Sequence, residues 1–228
     1  MSEAVVLVSG GLDSATALAI AKEKGYDLVA LTFDYGQKHR REVESARRLA
    51  RHFKVKEHIV IPLNLGKLLS SSLTQRALPI PDGASEPGAQ SKIPSTYVPA
   101  RNMVFLSIAT SIAESRGAEH VFIGVNAVDF SGYPDCTPYF IAAFQRAMNA
   151  GTKSGKEGKA IRLETPLIHL SKAQIVSKAV RLKVPLELTW SCYRGGKRAC
   201  GRCDSCRLRL KGFAEAGIDD PLEYEVRG

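Results

Sequence analysis

The chain lacks what would take it out of water. No apolar run approaches the length needed to cross a bilayer, and no N-terminal signal pattern precedes the first strand-like run. We therefore expect a soluble cytoplasmic protein. Cysteine is scarce, at five residues. In a reducing compartment these do not make a disulfide framework, and they read as metal or redox chemistry. Internal repeats and low-complexity tracts are absent too, which sets repeat architectures aside. Acidic side chains are outnumbered 23 to 32, leaving a net +9. That balance invites a nucleic-acid partner, yet much of it is local: Arg194, Lys197, Arg198, Arg202, Arg207, Arg209 and Lys211 stand against Asp204 alone between residues 192 and 212. Such a patch can touch RNA, support metal-bound thiolates or bind small polyanions, and basic surfaces are common without nucleic acid. At 228 residues and 44% hydrophobic, the chain can bury one large domain, or one domain with a small appendix.

Strand-like and helix-like runs alternate. "AVVLV" precedes a helix from about residue 14 to 24, closed by Gly25. "LVALTFD" precedes a helix whose apolar face is Val43, Ala46, Leu49, Ala50 and Phe53, and "EHIVIP" makes a third strand. We read "EVESARRLARHFKVK" as an amphipathic surface helix with a basic outer face. Residues 77 to 100 hold five of the eleven prolines and read as a long surface loop or lid. A helix over about 102–115 leads to strand "HVFIGV" at 120–125, and "GTKSGKEGK" at 151–159 reads as a second loop. Ser171 with Gln174 three residues on is a capping-box signature. The alternation predicts an α/β fold with a doubly wound parallel sheet, whose ligands bind at the carboxyl ends of strands where the winding reverses.

Between the first strand and the first helix lies "VSGGLDS". Val8, Ser9, Gly10, Gly11, Leu12, Asp13 and Ser14 offer backbone N–H groups and small hydroxyls at a helix N-terminus, where orphan donors and the helix dipole favour an anion, phosphate first. No Lys precedes the serine at Walker A spacing, and GxGxxG is missing as well. A kinase-like grip on a γ-phosphate is thereby disfavoured. Short donors suit a pyrophosphate that is to leave, with Asp13 placed to hold Mg²⁺ or to cap the helix. A plain capped turn competes with this reading, but strand, loop and helix in register favour a nucleotide.

Cys192, Cys200, Cys203 and Cys206 follow C-x7-C-x2-C-x2-C, four soft ligands able to close a tetrahedron around Zn²⁺. An iron–sulfur cluster uses the same four ligands and stays open as an alternative. Without an open coordination position, the zinc would be structural, folding an appendix too short for its own core and holding nearby Arg and Lys side chains towards the site. We divide the chain accordingly into an ATP-binding domain, 1–185, and a zinc-binding segment, 186–228. Cys136 reads as a small packed side chain, with a persulfide role as the competing one.

The "SGGLDS" loop resembles the PP-loop of the ATP pyrophosphatases, which cleave ATP between the α- and β-phosphates and pass AMP to a substrate oxygen. "LTFDYGQKHRREVESA", "YVPARN", "GVNAVDFSGYPDCTPYF", "TPL" and "SCYRGGKRACGRCDSC" together resemble the QueC family of queuosine biosynthesis, over nearly the whole chain. One departure is Ala100, where the resemblance leads us to expect Gly. The resemblance implies a sheet of the adenine-nucleotide α-hydrolase type and ATP-dependent conversion of 7-carboxy-7-deazaguanine and ammonia to 7-cyano-7-deazaguanine. It implies ATP as cofactor, with Mg²⁺ inferred from ATP, beside the structural Zn²⁺ that the cysteine spacing suggests.

On the same resemblance, the segment after the strand beside the first one faces the PP-loop and recognises a guanine-like base. Asn126, Asp129 and Asp135 would bond its edges, and Phe130 and Tyr133 would stack on it. An Asx-rich loop satisfying its own backbone is the alternative. Arg101 and Lys172 are candidates, with Asp13, to neutralise phosphate or the substrate carboxylate. Asp34 and Gln37, at the end of the second strand, would meet adenine or ribose. We expect a homodimer, on the general frequency of two-fold assemblies, with no membrane partner and no direct nucleic-acid binding. Two other readings compete. A PP-loop tRNA-modifying enzyme would explain the net charge and Cys136, but no added RNA-binding domain and no second free cysteine are found. A zinc-ribbon nucleic-acid module leaves "SGGLDS" unexplained.

Overall fold

β-Branched and aliphatic runs separated by helix-forming ones produce five parallel strands in the computed structural model, which describes residues 2–83, 93–127 and 132–226. In chain order the elements are β1 (Glu3–Leu7), α1 (Leu12–Glu23), β2 (Asp27–Asp34), α2 (Arg41–His52), β3 (Glu57–Pro62) and the single turn α3 (Leu65–Leu68). There follow α4 (Arg101–Arg116), β4 (His120–Phe122), α5 (Pro138–Gly151), the single turn α6 (Lys153–Lys156), β5 (Arg162–Glu164), α7 (Lys172–Arg181) and α8 (Asp204–Glu215). The strand order is β3-β2-β1-β4-β5, so the winding reverses between β1 and β4, which pair Ala4 with His120 and Val6 with Phe122. That is where a doubly wound sheet opens its crevice.

The two-residue period of β1 sorts the core. Val5 and Leu7 face α4 and α5 with Phe105, Leu106 and Met148, whereas Ala4, Val6 and Val8 face α1 and α2 with Leu18, Ala46 and Ala50. α1 is buried on nearly every side, because α7 and α8 cover its outer face with Ile175, Val176, Ala179 and Phe213. Its small Ala and Ser side chains permit that sandwiching. No helix among the described residues is long and apolar enough to cross a membrane.

Several boundaries differ from the sequence reading. The fourth strand ends at Phe122: Ile123 still donates its N–H to Glu164, at 3.0 Å, but Gly124 then leaves the ladder against the start of α1. "GTKSGKEGK" is not a loop throughout, since α5 runs into it and Thr152 caps α6 by accepting from the Gly155 N–H at 3.0 Å. α5 itself opens with Thr137 accepting from the Phe140 N–H and with Pro138 at its first position, a start signal that the sequence carried unread. The capping box at Ser171 and Gln174 forms in both directions. Of the proline-rich stretch 77–100, residues 84–92 lie outside the described residues. Its 80–83 part lies on the cysteine-bearing segment, where Arg194 bonds Ile80 and Asp82 and Arg207 bonds the Gly83 carbonyl. Two of the seven basic side chains between 192 and 212 donate hydrogen bonds there.

Candidate active site

At the carboxyl ends of β1, β2 and β4 a cavity of about 280 Å³ opens, with the loop from Val8 to Ser14 as its floor. Gly10 takes φ +94°, and a Cβ there would collide with the Glu42 carbonyl, so only glycine lets α2 come this close. Ser14 Oγ accepts from the Ser9 N–H at 3.2 Å and donates to the Gly11 carbonyl at 3.0 Å, pinning the turn from within. From outside, the Trp190 N–H donates to the Gly10 carbonyl at 2.9 Å. None of the N–H groups of Leu12, Asp13 and Ser14 meets an acceptor among the described residues, which leaves the positive end of α1 open to an anion.

Asp13 and Lys172 meet across this end. The ammonium donates to both carboxylate oxygens, at 2.9 and 2.7 Å, bringing α1 and the first residue of α7 together. Arg101, the first residue of α4, reaches the cavity and donates to the Tyr35 hydroxyl at 3.1 Å. Ala100 before it sits in the left-handed region at φ +53°, at a cost of about 1 kcal/mol. The conformation explains the expectation of glycine. The Tyr97 hydroxyl accepts the Ala100 N–H at 2.8 Å and helps to hold it.

The other expected contacts divide. Asn126 and Tyr133 line the cavity, Asn126 fastened to the Leu170 carbonyl and the Tyr133 hydroxyl donating to Thr96 at 2.9 Å. Asp135 does not line it. Its carboxylate accepts the Asn102 N–H at 2.9 Å at the start of α4. Asp34 does not line this cavity: it pairs with Arg40 at 3.3 Å and lines a neighbouring one, while Gln37 lines both and accepts the Tyr35 N–H at 2.8 Å. Asp129 and Phe130 lie outside the described residues. Cys136 reaches the cavity wall, but burial pushes its thiol up to about 12, and the Asn102 amide donates to its sulfur at 3.2 Å. At neutral pH that is a thiol and a poor nucleophile.

Sequence reasoning missed part of the wall. Trp190, Tyr193 and Arg209 come from the cysteine-bearing segment, and Glu42 from the helix read as a surface element. Burial holds the Glu42 carboxyl up to about 7, with Arg101 opposing the shift. Arg209 forms a doubly hydrogen-bonded ion pair with Asp220, at 2.7 and 2.9 Å, and reaches the Thr189 hydroxyl at 2.7 Å just before Trp190. The loop containing Trp190 is thus fastened at both ends.

The four sulfurs of Cys192, Cys200, Cys203 and Cys206 are buried and lie within 4.8 Å of one another. A tetrahedron with Zn–S of about 2.3 Å has edges of about 3.8 Å. Cys200 and Cys206 are 3.9 Å apart. Backbone N–H groups of Arg194 and Cys200 point at the Cys192 sulfur, and those of Arg202 and Cys203 at the Cys200 sulfur, the donor arrangement that thiolates require. Hydrogen bonds from Cys203 and Cys206 push the Cys192 thiol down, and those with Cys192 and Cys203 push Cys206 up. Without a cation the cluster favours one thiolate; a soft divalent metal removes that conflict, so the donor set fits the group.

A family profile described as "Queuosine biosynthesis protein QueC" matches residues 3–217. A 7-cyano-7-deazaguanine synthase of Acetivibrio thermocellus is 55% identical over 227 residues, covering 100% of this chain and 100% of the relative. One from Stutzerimonas stutzeri is 54% identical, covering 97% of this chain and 98% of the relative. Among solved structures, an NMN synthetase from Francisella tularensis superposes with a TM-score of 0.50 at 16% identity, covering 96% of this chain and 78% of that one, a likeness of fold alone. Profile, relatives and geometry agree, and the chain belongs to the QueC family of queuosine biosynthesis proteins.

Proposed function

We infer that the chain makes 7-cyano-7-deazaguanine from 7-carboxy-7-deazaguanine, ammonia and ATP. The observation that carries the reading is the open N-terminus of α1, whose unengaged N–H groups face a cavity flanked by Arg101 and Lys172 in a chain of this family. A carboxylate resists ammonia because oxide is a poor leaving group, so its oxygen must first become a phosphate ester. Adenylation does this, ammonia displaces AMP to give the amide, and a second adenylation lets the amide oxygen leave as AMP when the nitrile forms. The Ser9–Ser14 turn receives the leaving pyrophosphate, and Arg101 and Lys172 neutralise charge around it. If Mg²⁺ arrives with ATP, Asp13 would be the carboxylate at this turn to hold it in place of its Lys172 contact, and the ion would supply further charge neutralisation at the phosphates. Asn126 and Tyr133 position the base, joined by Asp129 and Phe130, and Gln37 stands at the adenosine end. The cysteine-bearing segment, 186–228, holds a structural Zn²⁺ and serves as a wall of the 1–185 domain. The working unit is a cytoplasmic homodimer that does not bind nucleic acid, a state that light scattering with and without tRNA tests.

Feeding the intermediate tests the chemistry. 7-Amido-7-deazaguanine should become nitrile with ATP alone, giving one AMP per product; the acid should require ammonia and give two. An inert amide, or ADP in place of AMP, overturns the reading. The tRNA-modifying alternative rests on the net charge and on Cys136, and burial, which pushes that thiol up to about 12, weighs against a persulfide role.

A further inference from the structure

The reaction just proposed removes every hydrogen that ammonia brings. As the C–N bond forms and the C–O bond to AMP breaks, one N–H proton leaves and the amide results. Attack of the amide oxygen on the α-phosphorus of a second ATP expels pyrophosphate and releases a second proton from nitrogen. Cleavage of that C–O bond, with the nitrogen electrons closing the nitrile, expels AMP and releases the third. A group at the reacting carbon must accept protons in each step. Among the described residues lining the cavity, the carboxylates are Asp13 and Glu42. Asp13 is engaged twice by Lys172. Glu42 makes no hydrogen bond and no ion pair among the described residues, although it projects from α2 beside the PP-loop glycine into the cavity.

We propose that Glu42 is the general base of this site, taking the proton from the reacting nitrogen at each step and passing it to water between steps. The other groups facing it suit no such duty. Tyr35 is buried and Tyr193 half-buried, with hydroxyls pushed above their ordinary range by desolvation, and Arg101 is a permanent cation. Cys192 belongs to the sulfur cluster, and its charge acts on Glu42 less than burial and Arg101 do. Desolvation, with no side chain or N–H bonded to it among the described residues, pushes the Glu42 carboxyl up to about 7, where it can accept and return protons. Arg101 opposite it keeps enough ionised form available at neutral pH.

The proposal rests on the functional reading above, and the test separates the two. The amide-to-nitrile step is followed with the amide and ATP, where no ammonia titrates, across pH 5.5 to 9. With wild type, kcat should rise with pH through a limb near 7. Glu42→Gln should lower kcat by at least about a hundredfold in both the ammonia step and the nitrile step, and abolish that limb, while the dissociation constant for the deazapurine acid changes by less than about threefold. Glu42→Asp, which keeps the charge one methylene back, should recover part of kcat and retain a limb. If Glu42→Gln instead weakens base binding severely with kcat preserved, Glu42 reads the substrate and the proposal falls. It falls equally if the limb persists in Glu42→Gln or if one step alone slows. A wild-type protein that makes no AMP with the acid or the amide sinks the functional reading itself, which is a different result.

Discussion

Gly124→Ala tests whether the catalytic geometry depends on how closely β4 approaches α1. A Cβ on Gly124 would lie 2.8 Å from the carbonyl carbon and oxygen of Asp13 and 2.9 Å from the Ser14 nitrogen. All three are backbone atoms, so no rotamer change relieves the contact. Ordinary contact begins near 3.4 Å, and the strand end and the helix N-terminus must separate by about 0.5 Å. α1 cannot recede freely, because Ala15, Ala17 and Leu18 are fully buried. Overpacking of this kind costs about 1–3 kcal/mol, which a domain of this size survives. The same shift moves the open N–H groups and Asp13 relative to Arg101, and displacements approaching 1 Å cost on the order of a hundredfold in rate. We therefore expect a modest fall in Tm with AMP release reduced by about tenfold to a hundredfold. Gly25→Ala is the control. At φ +83° with nothing within 4 Å of its Cβ, it should cost about 1 kcal/mol of strain and leave kcat unchanged. Wild-type kcat in Gly124→Ala, or equal losses in the two variants, would refute the reasoning.

Asp13→Asn should keep the fold and lower product formation by about a hundredfold or more, measured as AMP released; full activity removes Asp13 from the pyrophosphate site. Cys200→Ser should lose metal and solubility together from a protein carrying about one zinc per chain, since metal affinity here is folding energy. Iron in the purified protein would sink the zinc assignment. Asp220→Asn leaves Arg209 unpaired where both side chains are 2% exposed, so thermal or urea unfolding should show a loss of about 3–5 kcal/mol. Burial opposes ionisation of Asp220, yet the Arg209 guanidinium outweighs it and holds the carboxyl below its ordinary 3.8. This contribution is present above pH 3.8 and lost as pH falls through the lower folded value. Wild type should lose stability in that acid window, and the variant should show no corresponding step there.

Local signals carried a good share of this molecule. The strand-loop-helix at "VSGGLDS", the capping box at Ser171 and the cysteine spacing each depend on residues a few positions apart, where chain stereochemistry and metal reach decide the outcome. The parallel sheet followed from the alternation of periods two and 3.6. Glu42 was illegible for the opposite reason. Within "REVESARRLARH" it is one more charge on an amphipathic helix, and only the approach of Gly10, and of a wall carrying Trp190 and Tyr193, turns it into a desolvated cavity.

Charged residues show the division most sharply. Sequence order alone set which backbone turn would present donors to an anion, because φ, ψ and helix ends are local properties. It could not say which carboxylate would be spent and which left available, since desolvation and pairing depend on neighbours far along the chain. Asp13 meets Lys172 across 159 residues, and Asp135 is consumed by the start of α4. Those assignments were made by the packing of α1, α4 and α7 around the point where the sheet reverses its winding.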